Sequence, residues 1–301
     1  MRALAVDWSG ATHSMRSRIW LAEAIEPGRL VGLEVISDRS AVVERLLSAV
    51  GRTARRSLNG DSVPGAAGRP VSAASSVERS NSVAALQLEC VTIGLDFAFS
   101  FPTWFVEQAG VSSAPELWAH VERCGEAWLA ACEPPFWGRK GRARPVAARP
   151  AFRRTELAVP RVRGIGPKSI FQIGGAGSVG TGSIRGMPVL RQLLDAGATI
   201  WPCTRAGGRP VVVEIYPRLL TGGVRKSNAL ERRRLLAERY PLLRAEHVDM
   251  AVRSEDAFDA AISALVMVEH LNDLCALPDE PDPQLRVEGR IWHPDWRLDK
   301  P

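Results

Sequence analysis

Apolar runs along the chain predict five strands. The segments 2–8, 18–25 and 30–36 are apolar and closely spaced, which predicts an antiparallel meander. The run ECVTIGLDFAF at 89–99 is apolar on both faces, as a central strand is. The run RPVVVEIYP at 209–217 predicts the fifth strand.

Helical spacing of apolar residues predicts helices between and after these strands. A short amphipathic helix follows Ser40, and a second is predicted at 114–131. A helix is predicted to begin at Pro188 and to end at Gly197. Further helices are predicted at 228–239 and 254–275. The pattern is that of an α/β protein.

Residues 51–88 interrupt the pattern. From Gly51 to about Ala84 the chain is rich in Gly, Ser, Ala, Pro and Arg and has no periodicity, which predicts a loop or disordered insertion. The strands before it are too few to close a core, and the strongest strand follows it. We therefore expect one domain over 1–301 that contains this insertion.

Five carboxylates stand out because they interrupt apolar elements. Asp7, Asp96 and Glu214 each lie within or at the end of an apolar strand. Asp256 and Asp259 share one face of an otherwise apolar helix. Single acids have ordinary explanations: a strand-end turn for Asp7, an arginine partner for Glu214, and the helix dipole for the helical pair.

Taken together, these acids indicate a metal site. Close carboxylate pairs repel by roughly 4 kcal/mol at an effective dielectric of about 20, and a bound divalent cation removes that repulsion. A site made only of oxygen ligands suits Mg²⁺ or Mn²⁺ better than zinc.

The order of elements and the motifs around these acids resemble a known superfamily. The order β-β-β-α-β, with an acid ending the first strand, another on the fourth, and D-x-x-D on a late helix, resembles the ribonuclease H-like superfamily, particularly its Holliday-junction resolvase branch. The motifs VDWSGA, GLDFAFSFP, VEIYP, EDAFDAAISA and VEGRIW are similar to those of the predicted ribonuclease H-like nucleases (domain of unknown function 429). The likeness covers nearly the whole chain except 51–88.

This resemblance implies a fold, an activity and a set of site residues. The fold would be a ribonuclease H-like mixed five-stranded sheet flanked by helices, and the activity metal-dependent hydrolysis of phosphodiester bonds in nucleic acid. Metal roles are implied for Asp7, Asp96, Asp256 and Asp259, with Asp7 bridging the metals. Glu214 is included among the catalytic residues, although its strand position departs from the usual ligand placement.

The charge distribution favours a polyanionic partner. The net charge is +6, and in segment 139–163 Glu156 is the only acid among many arginines. This segment is interpreted either as a phosphate-contacting loop or as a solvated surface loop. The candidates for nucleic-acid contact are Arg153, Arg154, Lys168 and Arg185.

The segment GAGSVG at 175–180 matches the dinucleotide motif G-x-G-x-x-G. That motif needs a helix starting at its second glycine, and Gly182, Gly186 and Pro188 are expected to prevent a continuous helix there. We therefore expect an irregular linker, or a loop near the active site whose backbone amides meet phosphate.

Two other functions stay open from the sequence. An ATP-dependent phosphotransferase would use Asp7 and the glycine loop for nucleotide, and it would be stabilised by ATP. A non-catalytic nucleic-acid-binding module would bind DNA or RNA without magnesium.

The remaining features indicate a cytoplasmic protein without a membrane partner. The five cysteines and five histidines lack zinc-site spacing, and the cysteines are predicted to be reduced core thiols. No apolar run reaches the roughly 18 residues of a membrane span, and the N-terminus leads directly into a strand.

Overall fold

The computed structural model describes residues 1–8, 19–60, 90–146, 149–207 and 209–299, and the side chains of 52–60 are not described. These ranges form a seven-stranded mixed sheet with helices on both faces. The α/β class with a mixed sheet is therefore confirmed. The strands are β1 (Arg2–Asp7), β2 (Ile19–Ile25), β3 (Arg29–Ile36), β4 (Val91–Leu95), β5 (Thr199–Trp201), β6 (Val211–Ile215) and β7 (Ile291–Trp292).

The strand order is β3-β2-β1-β4-β6-β5, with β7 also pairing with β6. Strands β1, β2 and β3 form the predicted antiparallel meander. Strand β4 pairs in parallel with β1 and β6, and β5 and β7 are both parallel to β6. The short strands β5 and β7 were not predicted, because runs of three and two residues carry no detectable periodicity.

The helices cover both faces of this sheet. They are α1 (Arg39–Gly60), α2 (Thr103–Gln108), α3 (Ala114–Ala131), α4 (Arg154–Ala158), α5 (Gly180–Asp195), α6 (Pro217–Thr221), α7 (Ala229–Arg239), α8 (Ala245–Arg253), α9 (Glu255–Glu269), α10 (Leu271–Cys275) and α11 (Pro283–Glu288). Helix α3 has the predicted bounds.

Alternation along β1 divides the core into two layers. Leu4 and Val6 belong to the layer covered by α1, α3 and α5, whereas Ala3 and Ala5 belong to the layer covered by α9. Small residues let α9 lie close to the sheet. At Gly94 on β4, a Cβ would lie only 2.5 Å from the Sδ of a methionine on α9, so close approach requires glycine there.

Helix α5 begins at Gly180, well before the predicted start at Pro188. The expectation that Gly182, Gly186 and Pro188 prevent a continuous helix is therefore wrong. A Cβ at Gly186 would lie 2.6 Å from the Cζ of Phe97, so this glycine permits tight packing. Burial of the apolar face of α5 offsets the low helix propensity of these residues.

Two other predicted boundaries change. Helix α1 continues to Gly60, so the insertion does not begin at Gly51, and residues 61–89 lie outside the described ranges. Most of the predicted loop or disordered insertion therefore lies outside the described residues. The predicted helix 254–275 is two helices, α9 and α10, separated at His270.

The prediction that all five cysteines are reduced is also wrong. Cys90, which precedes β4, and Cys275, which ends α10, form a disulfide with Cα atoms 6.5 Å apart. A separation of 185 residues hides this pairing from the sequence, since only the folded sheet brings the two segments together. Across the described ranges, no helix combines the length and apolarity needed to cross a bilayer.

Candidate active site

Three neighbouring parallel strands bring carboxylates to one edge of the sheet. Asp7 ends β1, and Asp96 directly follows β4, where its N–H donates to the carbonyl of Val6 at 3.0 Å. Glu214 lies on β6 in register with Leu95 of β4. Because the carboxyl ends of parallel strands meet at one edge, these three acids share a location despite long sequence separations.

Helix α9 carries the other two acids to the same edge. Ser254 caps the helix, and its hydroxyl accepts from the N–H of Ala257 at 3.0 Å. The helix packs across β1 and β2, which places Asp256 and Asp259 within electrostatic range of Asp7. The sequence-based grouping of these acids thus corresponds to a spatial cluster.

One cavity of about 760 Å³ is lined by all five predicted acids. Asp7 and Asp96 are partly exposed, Asp256 is exposed, and Asp259 is buried. The cavity is also lined by the basic residues Arg139, Arg153, Lys168 and Arg185, by apolar residues including Trp8 and Phe97, and by residues 177–179 of the glycine loop.

Burial and mutual repulsion raise the pKa values of the aspartates. Burial raises the pKa of Asp96 to about 8, with Asp259 adding to the effect. The pKa of Asp7 is raised well above its ordinary value by burial and then by Asp96, Asp259 and Asp256. Burial also raises the pKa of Asp259 to about 6 and, to a lesser extent, that of Asp256. The cluster resists becoming fully anionic unless a cation joins it.

A lysine that the sequence did not single out supplies part of the positive charge that the acidic cluster needs. The Nζ of Lys226 donates to Oδ2 of Asp259, and both side chains are largely buried. The other oxygen of Asp259, Oδ1, is buried and has no hydrogen-bond partner among the described residues. A buried carboxylate oxygen without a partner, on a residue that lines a polar cavity, is a position that a cation would fill.

Glu214 does not resemble a free metal ligand or catalytic base. Its carboxylate accepts from Arg153 Nη1 at 2.8 Å and Nη2 at 2.5 Å, and from the N–H of Phe99 at 2.9 Å. Both side chains of the ion pair are buried. Glu214 is therefore better explained as the ion-pair partner of an arginine than as a catalytic residue, because both of its carboxylate oxygens already accept hydrogen bonds.

Arg153 is likewise assigned to the interior rather than to nucleic acid. Its side chain is 1% exposed, and it donates to Glu156, to Glu214 and to the carbonyl of Glu288. Although Arg153 lines the cavity, its guanidinium donors are already taken by these acceptors, so it is not available for a phosphate. The arginine-rich segment is thus partly a core element rather than only a surface loop.

The other three predicted basic contacts have different surroundings. Arg154 pairs with Asp282 at 2.7 Å and does not line the cavity. Arg185 lines the cavity and forms two hydrogen bonds to Glu126, at 2.6 and 2.8 Å. Lys168 is exposed and lines the cavity, as does Arg139, which was not singled out from the sequence.

The glycine loop lies at the cavity as a turn, without dinucleotide-site architecture. Gly175 and Gly177 have φ values of +80° and +68°, which glycine tolerates. Helix α5 starts at Gly180, the last glycine of the motif, whereas a dinucleotide site needs it to start at the second. The segment before the loop is not a strand of the described sheet: its β-pairing consists of an isolated bridge between Gln172 and Trp137.

The residues present are chemically suited to a hard divalent cation. All candidate ligands are carboxylates, their pKa values are raised, and one buried oxygen of Asp259 is unpaired. As placed within the described ranges, however, no group of three or more His, Cys, Asp or Glu residues could hold a metal ion. Metal binding by Asp7, Asp96, Asp256 and Asp259 stays a prediction.

Comparison with protein-family models, with curated proteins and with solved structures gives no match. The site is therefore interpreted from its own geometry. Two further residues lie near the acids, and the sequence did not indicate them. Lys226 is in a turn without a recognisable motif. Tyr216 has a pKa raised chiefly by burial beside the acids.

The raised pKa values predict how stability depends on pH. Asp96 and Asp259 have pKa values of about 8 and about 6 in the folded protein, against about 3.9 in an unfolded chain. The folded protein then binds more protons than the unfolded chain between about pH 4 and about pH 8, so the free energy of unfolding should fall as pH rises through this window. Thermal melts in chelator test this, and Asp96→Asn should flatten the slope. A melting temperature that rises with pH would contradict it.

Proposed function

We propose that this protein is a metal-dependent nuclease that hydrolyses phosphodiester bonds in nucleic acid. The observation that carries the proposal is the convergence of Asp7, Asp96, Asp256 and Asp259 on one cavity that basic side chains also line. An acidic floor suits divalent cations, and basic groups suit the phosphates of the substrate.

The strand arrangement supports the finer assignment of the fold. The chain order β-β-β-α-β, an acid at the end of β1, an acid directly after β4 and the D-x-x-D of α9 are together the arrangement that the resemblance implies. We propose on this basis a ribonuclease H-like fold in which β5 and β7 are additions to the five predicted strands.

Each group has a distinct task in the proposed reaction. Asp7, Asp96, Asp256 and Asp259 would hold Mg²⁺ or Mn²⁺, which when bound activates water and neutralises charge on the reacting phosphate. Lys168 and Arg139 would bind flanking phosphates. Arg153 would act indirectly, because its ion pair with Glu214 ties the start of α4 to β6 in the wall of the cavity.

The test is cleavage of labelled single-stranded, duplex and branched DNA and RNA by the purified full chain. Each substrate is incubated with Mg²⁺, with Mn²⁺ or with chelator, and Asp256→Asn is assayed in parallel. The proposal expects cleavage that depends on metal and is lost in the variant. Binding without cleavage in any metal condition would favour the non-catalytic module, and stabilisation by ATP without cleavage would favour the phosphotransferase.

A matched pair of glutamates tests whether the basic side of the cavity binds phosphate. Arg185 is held by Glu126, whose pKa is lowered mainly by that hydrogen bond and also by the charges of Arg39 and Arg139. Neutralising the glutamate should weaken its hold on Arg185 and favour contact between the guanidinium and a phosphate. We expect Glu126→Gln to tighten oligonucleotide binding about two- to fivefold, the scale of an exposed ion pair.

The control for this prediction is Glu122→Gln on the same helix, α3. Glu122 faces Arg191 at 3.7 Å, and neither residue lines the cavity, yet the variant changes the net charge equally. Fluorescence anisotropy in chelator measures binding without cleavage. If both variants tighten binding equally, the effect is one of overall charge and the cavity is not the phosphate site.

A further inference from the structure

Lys226 is held where it meets the carboxylate cluster. It lies in the turn between α6 and α7, its side chain is 12% exposed, and its Nζ donates to Oδ2 of Asp259. Exposed ion pairs are common and weak, but this one is largely removed from solvent. The contact therefore places a positive charge directly against the buried end of the cluster.

The backbone of this turn is anchored independently of the lysine side chain. Arg232, itself buried, donates to the carbonyl of Lys226 and also to the carbonyl of Val252 at 2.5 Å. Because Val252 is near the end of α8, this arginine ties the turn to the chain just before α9. The four-carbon stem of a lysine can still rotate its ammonium away from a fixed backbone.

The ammonium acts on the whole cluster rather than on one partner. Its charge lowers the pKa values of Asp7, Asp96, Asp256 and Asp259, opposing the burial that raises them. Lys226 thus compensates all four of these acids when no metal is bound, and Arg218 adds a smaller effect at Asp259. Oδ1 of Asp259 nevertheless has no partner among the described side chains, so compensation is incomplete.

We propose that Lys226 is an internal counter-ion that competes with the divalent cation, and that its ammonium leaves Asp259 when the metal binds. This inference rests on the proposed metal site. It makes Lys226 a positioning residue: it holds the empty cluster together and sets how tightly metal binds. An ammonium on Oδ2 and a divalent cation on Oδ1 of the same carboxylate lie close enough to repel each other strongly.

Calorimetric titration of the full chain with Mn²⁺ tests the competition. We expect Lys226→Gln to bind Mn²⁺ about ten times more tightly than the parent, because metal no longer displaces a unit positive charge. Its metal-free form should melt at a lower temperature, since Asp259 loses its partner. Lys168→Gln is the matched control: it removes the same charge from the same cavity without touching an acid, and its Mn²⁺ affinity should stay within about twofold of the parent.

A second measurement needs no variant. The Nζ of Lys226 should be acylated slowly by a soluble succinimidyl ester in chelator and at least about three times faster in saturating Mn²⁺, once the ion pair is broken. Peptide mass spectrometry quantifies this against exposed Lys168. The inference is overturned if Lys226→Gln binds Mn²⁺ no more tightly than the parent, or if Lys226 is equally protected with and without metal.

These outcomes separate the inference from the nuclease proposal. Tighter metal binding by Lys226→Gln without cleavage of any nucleic acid would keep the counter-ion role and remove the nuclease. Metal-dependent cleavage by the parent, with unchanged Mn²⁺ affinity in Lys226→Gln, would keep the nuclease and remove the counter-ion role. A parent protein that binds no Mn²⁺ at all would overturn both.

Discussion

Asp7→Asn is expected to abolish cleavage and metal-induced stabilisation while leaving the metal-free protein at least as stable as the parent. Asp7 is surrounded by Asp96, Asp256 and Asp259, and its pKa is raised by burial and by all three. Asparagine keeps the shape and removes the charge, so repulsion in the cluster falls while a metal ligand is lost. We expect cleavage to drop by roughly 1,000-fold or more, equivalent to about 4 kcal/mol of transition-state stabilisation.

Thermal melts with and without Mn²⁺ measure the second half of this prediction. At a concentration about 100 times its dissociation constant, the metal should stabilise the parent by about 2.7 kcal/mol and the variant by much less. Asp249→Asn is the matched control, because Asp249 is exposed on α8 and does not line the cavity. A metal-free Asp7→Asn protein that unfolds far more easily than the parent would make Asp7 a structural residue and remove the main support of the metal site.

Arg153→Met should destabilise the fold by about 3–5 kcal/mol, the range for breaking one side of a buried ion pair. The substitution leaves two carboxylates, Glu156 and Glu214, buried without their shared cation. It also removes the hydrogen bond to the carbonyl of Glu288 at the end of α11. Chemical denaturation of the metal-free protein measures the loss.

The compensating variant separates lost charge pairing from lost packing. Arg153→Met combined with Glu214→Gln should recover part of the stability, because glutamine can still accept from the N–H of Phe99 without burying a charge. Arg154→Met is the control, since Arg154 is partly exposed, and its loss should cost no more than about 1 kcal/mol. Equal stability of the Arg153 and Arg154 variants would return Arg153 to the list of surface candidates for phosphate contact.

Among the elements, those with strong local signals were predicted well. In the meander β1–β3 and in helix α3, the apolar positions, caps and breaks all lie within the element's own sequence. The local pattern is therefore enough to predict these elements. The start of helix α5 was predicted wrongly because a glycine such as Gly186 is required there by close packing against a distant residue, Phe97, and no local pattern shows that contact. The disulfide between Cys90 and Cys275 is hidden for the same reason.

Among the candidate site residues, the aspartates were recognisable and the basic groups were not. An acid within an apolar strand or helix is conspicuous because burying it is costly, and this made Asp7, Asp96 and Asp259 candidates without a structure. An arginine carries no such mark. Arg153 in a basic segment and Lys226 in a turn have equally plain sequence surroundings, yet both are buried partners of acids.

The sequence by itself determined the α/β class, the central strands and the set of acids, because hydrophobic periodicity and the cost of buried charge are local properties of a chain. Only the tertiary structure decided how these acids are partnered. Parallel pairing of β1, β4 and β6 gathered them at one edge, and the packing of α4 and of the turn before α7 gave Glu214 to Arg153 and Asp259 to Lys226. Charge pairing across 61 and 33 residues depends on where segments meet in space, which periodicity within a segment does not contain.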